Sequence, residues 1–113
     1  MAATKKNKQF FFIKNKQFLQ RVDVPKIQYI HAEGNYCFIH MIGNQRVSFK
    51  ISLLQIIDHL SQEHFVRVHK SYIINLDYLQ QVNIKERLLL VNNENIPVGR
   101  TYYSELSQRL SLL

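Results

Sequence analysis

The run FVRVHKSYIINL, from Phe65 to Leu76, restricts the backbone more tightly than any other stretch of the chain. Its first half alternates, with Val66 and Val68 on one face of an extended segment and Phe65, Arg67 and His69 on the other. Its second half returns to Tyr72, Ile73 and Ile74, residues that suit a pleated, half-buried surface. Two strands are therefore expected, with His69, Lys70 and Ser71 held between their apolar anchors. A rigid scaffold presents polar groups to a partner in this way, here a ring, a cation and a hydroxyl.

The same short periodicity runs through most of the chain. Phe10 to Ile13 and Phe18 to Val22 read as strands, and Pro25, which lacks an amide hydrogen, argues for a turn or an edge before the next strand begins. Ile27 to Glu33 and Asn35 to Ile42 are separated at Gly34. The second of these is apolar on both alternating faces, which predicts an inner strand. Gly43-Asn44 then turns the chain into Gln45 to Lys50. Further strands are expected over 79–84 and 87–91, joined through Lys85-Glu86, and over 96–98 after the polar turn at 92–95.

Two segments change period. Ser52 with Gln55 three residues on forms a capping box, and Leu53, Ile56, Ile57 and Leu60 come after it at helical spacing. Thr101 is placed to cap a closing helix whose Tyr103, Leu106, Leu110 and Leu113 share a face. Helices are thus expected at about 52–61 and 101–112, against nine or ten short strands. The class is mostly β, in small antiparallel sheets, with helices covering sheet edges.

Length allows one domain and one core, and 46% apolar with 20% charged residues reads as globular. A single cysteine, Cys37, excludes an internal disulfide and a thiolate metal site, which suits a reducing compartment. No apolar run reaches the roughly 18 residues of a membrane span, and MAATKKNKQ lacks the apolar core of a signal peptide, so a cytoplasmic location is expected. The formal net charge of +7 is unevenly spread: residues 1–22 carry Lys5, Lys6, Lys8, Lys14, Lys16 and Arg21 with no acid, and the remainder is close to neutral. Residues 1–9 are expected to form a flexible basic arm preceding a domain over 10–113.

Catalytic chemistry finds little support. There is no glycine-rich phosphate loop, no nucleophile-elbow serine and no histidine pair at metal-binding helical spacing, so neither an enzyme, a cofactor, a metal nor a small-molecule substrate is expected. Binding residues are easier to find. Lys70 can donate to guanine or to phosphate, and a neutral His69 can donate to the same acceptor edges. Arg100 comes after Pro97-Val98-Gly99, where glycine permits close approach and a helix starting at Thr101 would aim free amides at an anion. Asn35 and Tyr36 flank the Gly34 turn and can reach bases or phosphate, although Gly-Asn also simply makes turns. Lys50, Ser71 and Tyr102 would be backbone contacts if the surface is continuous.

The FVRVHKSYIIN core, the Ile96-Pro97-Val98-Gly99-Arg100 turn and the closing helix together resemble the LytTR family of bacterial DNA-binding domains, over about Phe10 to Leu113. That resemblance implies an elongated arrangement of about ten strands whose loops enter successive major grooves and touch the intervening minor groove. It implies a sequence-specific transcriptional regulator, related to response regulators, binding double-stranded DNA at direct repeats with copies side by side and some bending. The DNA-reading positions it implies are His69 and Lys70, Arg100, and Asn35 or Tyr36. Lys70 stands where arginine is common and Gly99 where serine is common. Such domains usually follow a receiver domain or a membrane segment, and these 113 residues hold neither. The competing expectation is a protein-interaction module of the same fold that binds or antagonises another regulator, which an exposed apolar patch in place of a basic face would favour. RNA binding would need exposed aromatics on a sheet face, for which Phe10 to Phe12 are the dense cluster.

Overall fold

A computed structural model describes residues 9–113. Of the expected basic arm, all but Gln9 therefore lies outside the described residues. Strands β1 (Phe10–Asn15) and β2 (Phe18–Asp23) form a hairpin. Strands β3 (Ile27–Glu33), β4 (Tyr36–Met41), β5 (Gln45–Phe49), β6 (Phe65–His69) and β7 (Tyr72–Asn75) form a five-stranded antiparallel sheet in the order β5-β4-β3-β7-β6. Strands β8 (Leu79–Asn83), β9 (Leu88–Val91) and β10 (Glu94–Pro97) form a three-stranded meander. Helix α1 (Leu53–Ile57) precedes β6, and α2 (Tyr103–Arg109) closes the chain. Principal extents of 46 × 33 × 26 Å bear out the elongated, mostly β arrangement.

In place of the single core expected from the length, the five-stranded sheet carries a core on each face, because successive side chains of a strand point to opposite sides. On one face Ile30, Ile39 and Ile73 sit side by side, covered by Phe11, Ile13 and Val22 of the hairpin and by Leu53 and Ile56 of α1. On the other, Tyr29, Val66, Val68 and Ile74 meet Leu89, Val91 and Ile96 of the meander and Leu106 of α2. Fully burying each such aliphatic chain is worth about 1.5–3 kcal/mol. Neither cover is dispensable on that arithmetic, since removing one would expose several of them at once.

Two bulges decide which residues share a face. The β3–β4 ladder shifts between Ile27 and Tyr29, which lets Ile27 join Ile30 in the first core. In β6 the pairing passes from Arg67↔Ile73 directly to His69↔Tyr72, leaving Val68 as the extra residue. Strict alternation would put His69 with Phe65 and Arg67. The bulge instead turns it onto the face of Tyr72.

Other local expectations are corrected by the structure. β4 is an inner strand, yet only Cys37 and Ile39 are buried, while Tyr36 is 48% exposed and Phe38 and His40 are half-buried. The capping box of α1 is present, with the Gln55 amide donating to Ser52 Oγ at 3.2 Å and the Ser52 amide to Gln55 Oε1 at 3.0 Å. The helix nevertheless stops at Ile57, where the chain tightens into turns that bond His59 to Ile56 and Leu60 to Ile57. Leu60 is still buried, so its periodicity is real although its backbone is not α-helical. Thr101 caps nothing: residues Arg100–Tyr102 form a 3-10 turn and α2 begins at Tyr103 without a side-chain cap. Leu113 lies exposed beyond the helix rather than on its apolar face. α1 covers a sheet face, and it is the segment around α2 that covers an edge, that of β6.

Asn75 shows how the polar end of β7 is satisfied. It is 1% exposed, its amide donates to the Ile27 carbonyl at 2.8 Å and its Oδ1 accepts from the Asp77 amide at 2.9 Å. One side chain thus joins the end of β7 to the start of β3 and to the turn Leu76–Tyr78. Asn75→Leu keeps the volume and strands both backbone partners, so it is expected to cost roughly 1–3 kcal/mol. Urea unfolding should show a lower midpoint at unchanged slope; a midpoint equal to that of the parent would contradict this role.

Candidate nucleic-acid interface

The tips of β3–β4 and β6–β7 and the end of β5 lie at the same end of the five-stranded sheet, as the pairings Glu33↔Tyr36, His31↔Tyr72 and Cys37↔Phe49 require. At the β6–β7 tip, His69 Nδ1 accepts the Ser71 amide at 3.0 Å. That bond leaves the ring proton on Nε2, so the neutral ring keeps a donor on its free side. Burial, together with the charges of Lys70, Arg67 and His31, holds the His69 pKa below the ordinary imidazole value. The packing thus favours the neutral ring. Lys70 beside it is exposed, and the Ser71 carbonyl accepts the Ala32 amide at 2.9 Å, joining this tip to β3.

Behind the tip, aromatic rings stiffen the sheet. His31 and Tyr72 stack at 4.6 Å between centroids, and His69 meets Tyr72 edge-on at 5.6 Å. Further along the same face, His40 stacks on Tyr29 at 4.1 Å, and burial with the nearby Arg46 lowers its pKa to about 4. A half-buried, neutral role for His40 matches its place within the strand.

Arg100 reaches this end through the backbone. The Gly99 amide donates to the Val68 carbonyl at 2.8 Å, so the residue after it leaves β6 beside His69. A Cβ on Gly99 would lie 2.9 Å from the Tyr102 ring and 3.7 Å from the His69 Cα, which leaves no room for a side chain unless that ring moves. The helix start expected to aim amides beside Arg100 is absent, because the Tyr102 amide bonds the Gly99 carbonyl at 3.0 Å and α2 begins later. Arg100 itself is exposed, and Tyr102 is half-buried.

The third group gathers around a depression of about 440 Å³ lined by Asn35, Tyr36, Lys50, Arg67 and Lys70. Gly34 adopts a φ of +61°, the left-handed conformation that turns β3 into β4 and lifts Asn35 outward. Lys50, Arg67, Lys70 and Arg100 give this end four cations, and Glu33 is the acid beside them at the β3 tip. The structure thus brings all eight candidates to one end of the sheet. Arg67 is absent from the residues that sequence reasoning selects, although it lies within the central run. Its Nη2 donates to the Lys70 carbonyl at 2.6 Å and its Nε to the His69 carbonyl at 3.3 Å. An arginine between apolar neighbours on a strand is the available signal, since such a charge must find partners at an edge.

Among the described residues no group of histidine, cysteine and acidic side chains could hold a metal ion, and no helix is long and apolar enough to cross a membrane. The sequence pattern of the LytTr DNA-binding domain family matches residues 17–111. The sensory transduction protein LytT of Bacillus subtilis is 29% identical over 97 residues, covering 80% of this chain and 39% of that protein. LytT of Oceanobacillus iheyensis is 30% identical over 86 residues, covering 71% and 35% respectively. The chain therefore spans well under half the length of these curated relatives. A LytTr DNA-binding domain from Bacillus cereus superposes with a TM-score of 0.77 at 23% identity, covering 93% of this chain and 99% of that one, and so shares the fold. The match over 17–111, on a chain folded in this way, shows that it belongs to the LytTr family of DNA-binding domains.

Proposed function

We propose that this chain reads double-stranded DNA in a sequence-specific manner as the DNA-binding part of a bacterial transcriptional regulator acting in the cytoplasm. Loops do the reading rather than a recognition helix. Lys70 and His69 offer donors to base edges from one turn, Arg100 offers a guanidinium from a second, and Asn35, Tyr36 and Lys50 approach the backbone or an adjoining base from a third. Ser71 and Tyr102 contribute mainly by shaping these turns. The observation that carries the reading is the bond from Gly99 to Val68, which brings two cationic turns distant in sequence onto one edge. Binding at direct repeats, with copies side by side and the duplex bent, belongs to the same proposal, as does a basic arm over residues 1–9 preceding the domain over 10–113.

A protein-interaction role has a separate observation in its favour. On the β1–β2 hairpin, Phe12 and Leu19 are 53% and 69% exposed on one face, away from the basic edge, and Phe18 is 65% exposed on the other. These exposed apolar residues add to the DNA reading and do not replace the basic edge.

Replacing Arg100 with Ala should abolish the preference for a duplex selected from random DNA over an unrelated one in competition binding. Undiminished preference would remove Arg100 from the readout. Lys70→Ala should weaken the selected complex by roughly 1–3 kcal/mol if the ammonium contacts a base, and a negligible change in titration would exclude that contact. Deleting residues 1–9 should flatten the dependence of affinity on salt, because fewer counterions are then released. An identical slope would make the arm a bystander.

A further inference from the structure

Among the described residues six hairpin connections link neighbouring strands, and five of them contain a residue in the left-handed region: Lys16, Gly34, Gly43 with Asn44, Arg87, and Asn92 with Asn93. The connection between β6 and β7, Lys70-Ser71, contains none. Two-residue hairpins ordinarily rely on positive φ, because types I′ and II′ match the twist of the flanking strands. The turn that carries the candidate reading residues therefore lacks the usual backbone means of holding its shape. Side chains add bonds to it from Arg67 and from the His69 ring.

We propose that Arg67 is a positioning residue that clamps this turn and couples it to the Gly99–Tyr102 segment, fixing the register of Lys70 and Arg100 without itself contacting DNA. The clamp has three parts. Arg67 donates from Nε to the His69 carbonyl and from Nη2 to the Lys70 carbonyl, and so ties the entry of the turn to its own strand. Its guanidinium carbon lies 5.9 Å from the centre of the Tyr102 ring. That ring in turn occupies the space where Gly99 lacks a Cβ, directly after the bond to Val68. Two of the guanidinium's donors are thereby committed to backbone, and the side chain is half-buried. Lysine is not equivalent, since its ammonium lacks the planar fork that fits two neighbouring carbonyls while lying flat against a ring. The small residue at 99 and the ring at 102 act as a pair: with serine or alanine at 99, the ring would have to shift against the guanidinium.

This inference rests on the proposed DNA reading, and the test separates the two. Arg67→Lys, Arg67→Met and Gly99→Ala would be compared with the parent in binding to a duplex that the parent selects from random DNA and to an unrelated duplex of equal length, across a salt series. Amide hydrogen exchange at residues 69–71 would be followed on the free chains. Arg67→Met and Arg67→Lys should each lose roughly tenfold in discrimination, retain the salt slope of the parent, and exchange faster at the turn. Gly99→Ala should reproduce the loss, and the double variant Arg67→Met/Gly99→Ala should lose no more than either alone. A slope lowered by roughly 0.9 in Arg67→Met would show a direct phosphate contact and overturn the proposal. So would parent-like exchange at 69–71, full rescue by Arg67→Lys, or additive losses in the double variant. If the parent itself fails to discriminate between duplexes, the DNA reading falls, while the exchange data still decide whether Arg67 clamps the turn. Should Arg67→Met not fold, Arg67→Lys and Gly99→Ala carry the same comparison.

Discussion

A single backbone hydrogen bond, from the Gly99 amide to the Val68 carbonyl, determines how the two ends of the proposed binding surface meet. β6 is an edge strand, and such an edge exposes unpaired carbonyls that need a partner. Val68 sends its side chain into the second core beside Val66, as alternation requires, and its carbonyl takes the amide of a segment arriving from β10. One contact has three consequences. The edge is blunted, Val98 is drawn into the second core beside Val68, and Arg100 is delivered next to the turn that holds Lys70.

The two-faced sheet explains why the polar groups gather where they do. Both faces of β3 and β7 are committed to apolar partners, on one side the hairpin with α1 and on the other the meander with α2. Cations can then emerge at strand ends and edges, where their charge remains in water. Because those strand ends belong to a sheet packed on both sides, the groups they carry are held with little freedom. The aromatic row from His31 through Tyr72 to His69 extends that stiffness to the tip itself. The same packing favours a neutral His69: burial and then the neighbouring cations oppose a positive charge on the ring, and its Nδ1 is engaged by the Ser71 amide.

Much of this is legible in the residues, and the failures share a cause. Strands announce themselves by period-2 alternation, so β3 is read at its observed limits and most others to within a residue or two. The capping box of Ser52 and Gln55 is a local signal and is found as such. Bulges have no comparable signature. The extra residue at Val68 depends on what lies across from it, which is why alternation assigns His69 to the wrong face. Tertiary contact also overrides the expected cap at Thr101, where the chain is occupied in returning to β6 through Gly99. Arg67 escapes notice for a related reason: its partners are carbonyls, and carbonyls are invisible in a string of side chains.

The central claim is that three turns, brought together by backbone contacts at one end of the sheet, form a single surface for duplex DNA. Titrating the isotopically labelled chain with a duplex it selects from a random pool, and tracking amide chemical shifts, tests this most directly. The account predicts that the largest shifts fall together at residues 34–36, 50, 69–71 and 99–102, while the β8–β9 connection at 84–87 stays unmoved. Largest shifts at 84–87 or on the β1–β2 hairpin, with residues 69–71 and 99–102 unchanged, would contradict it.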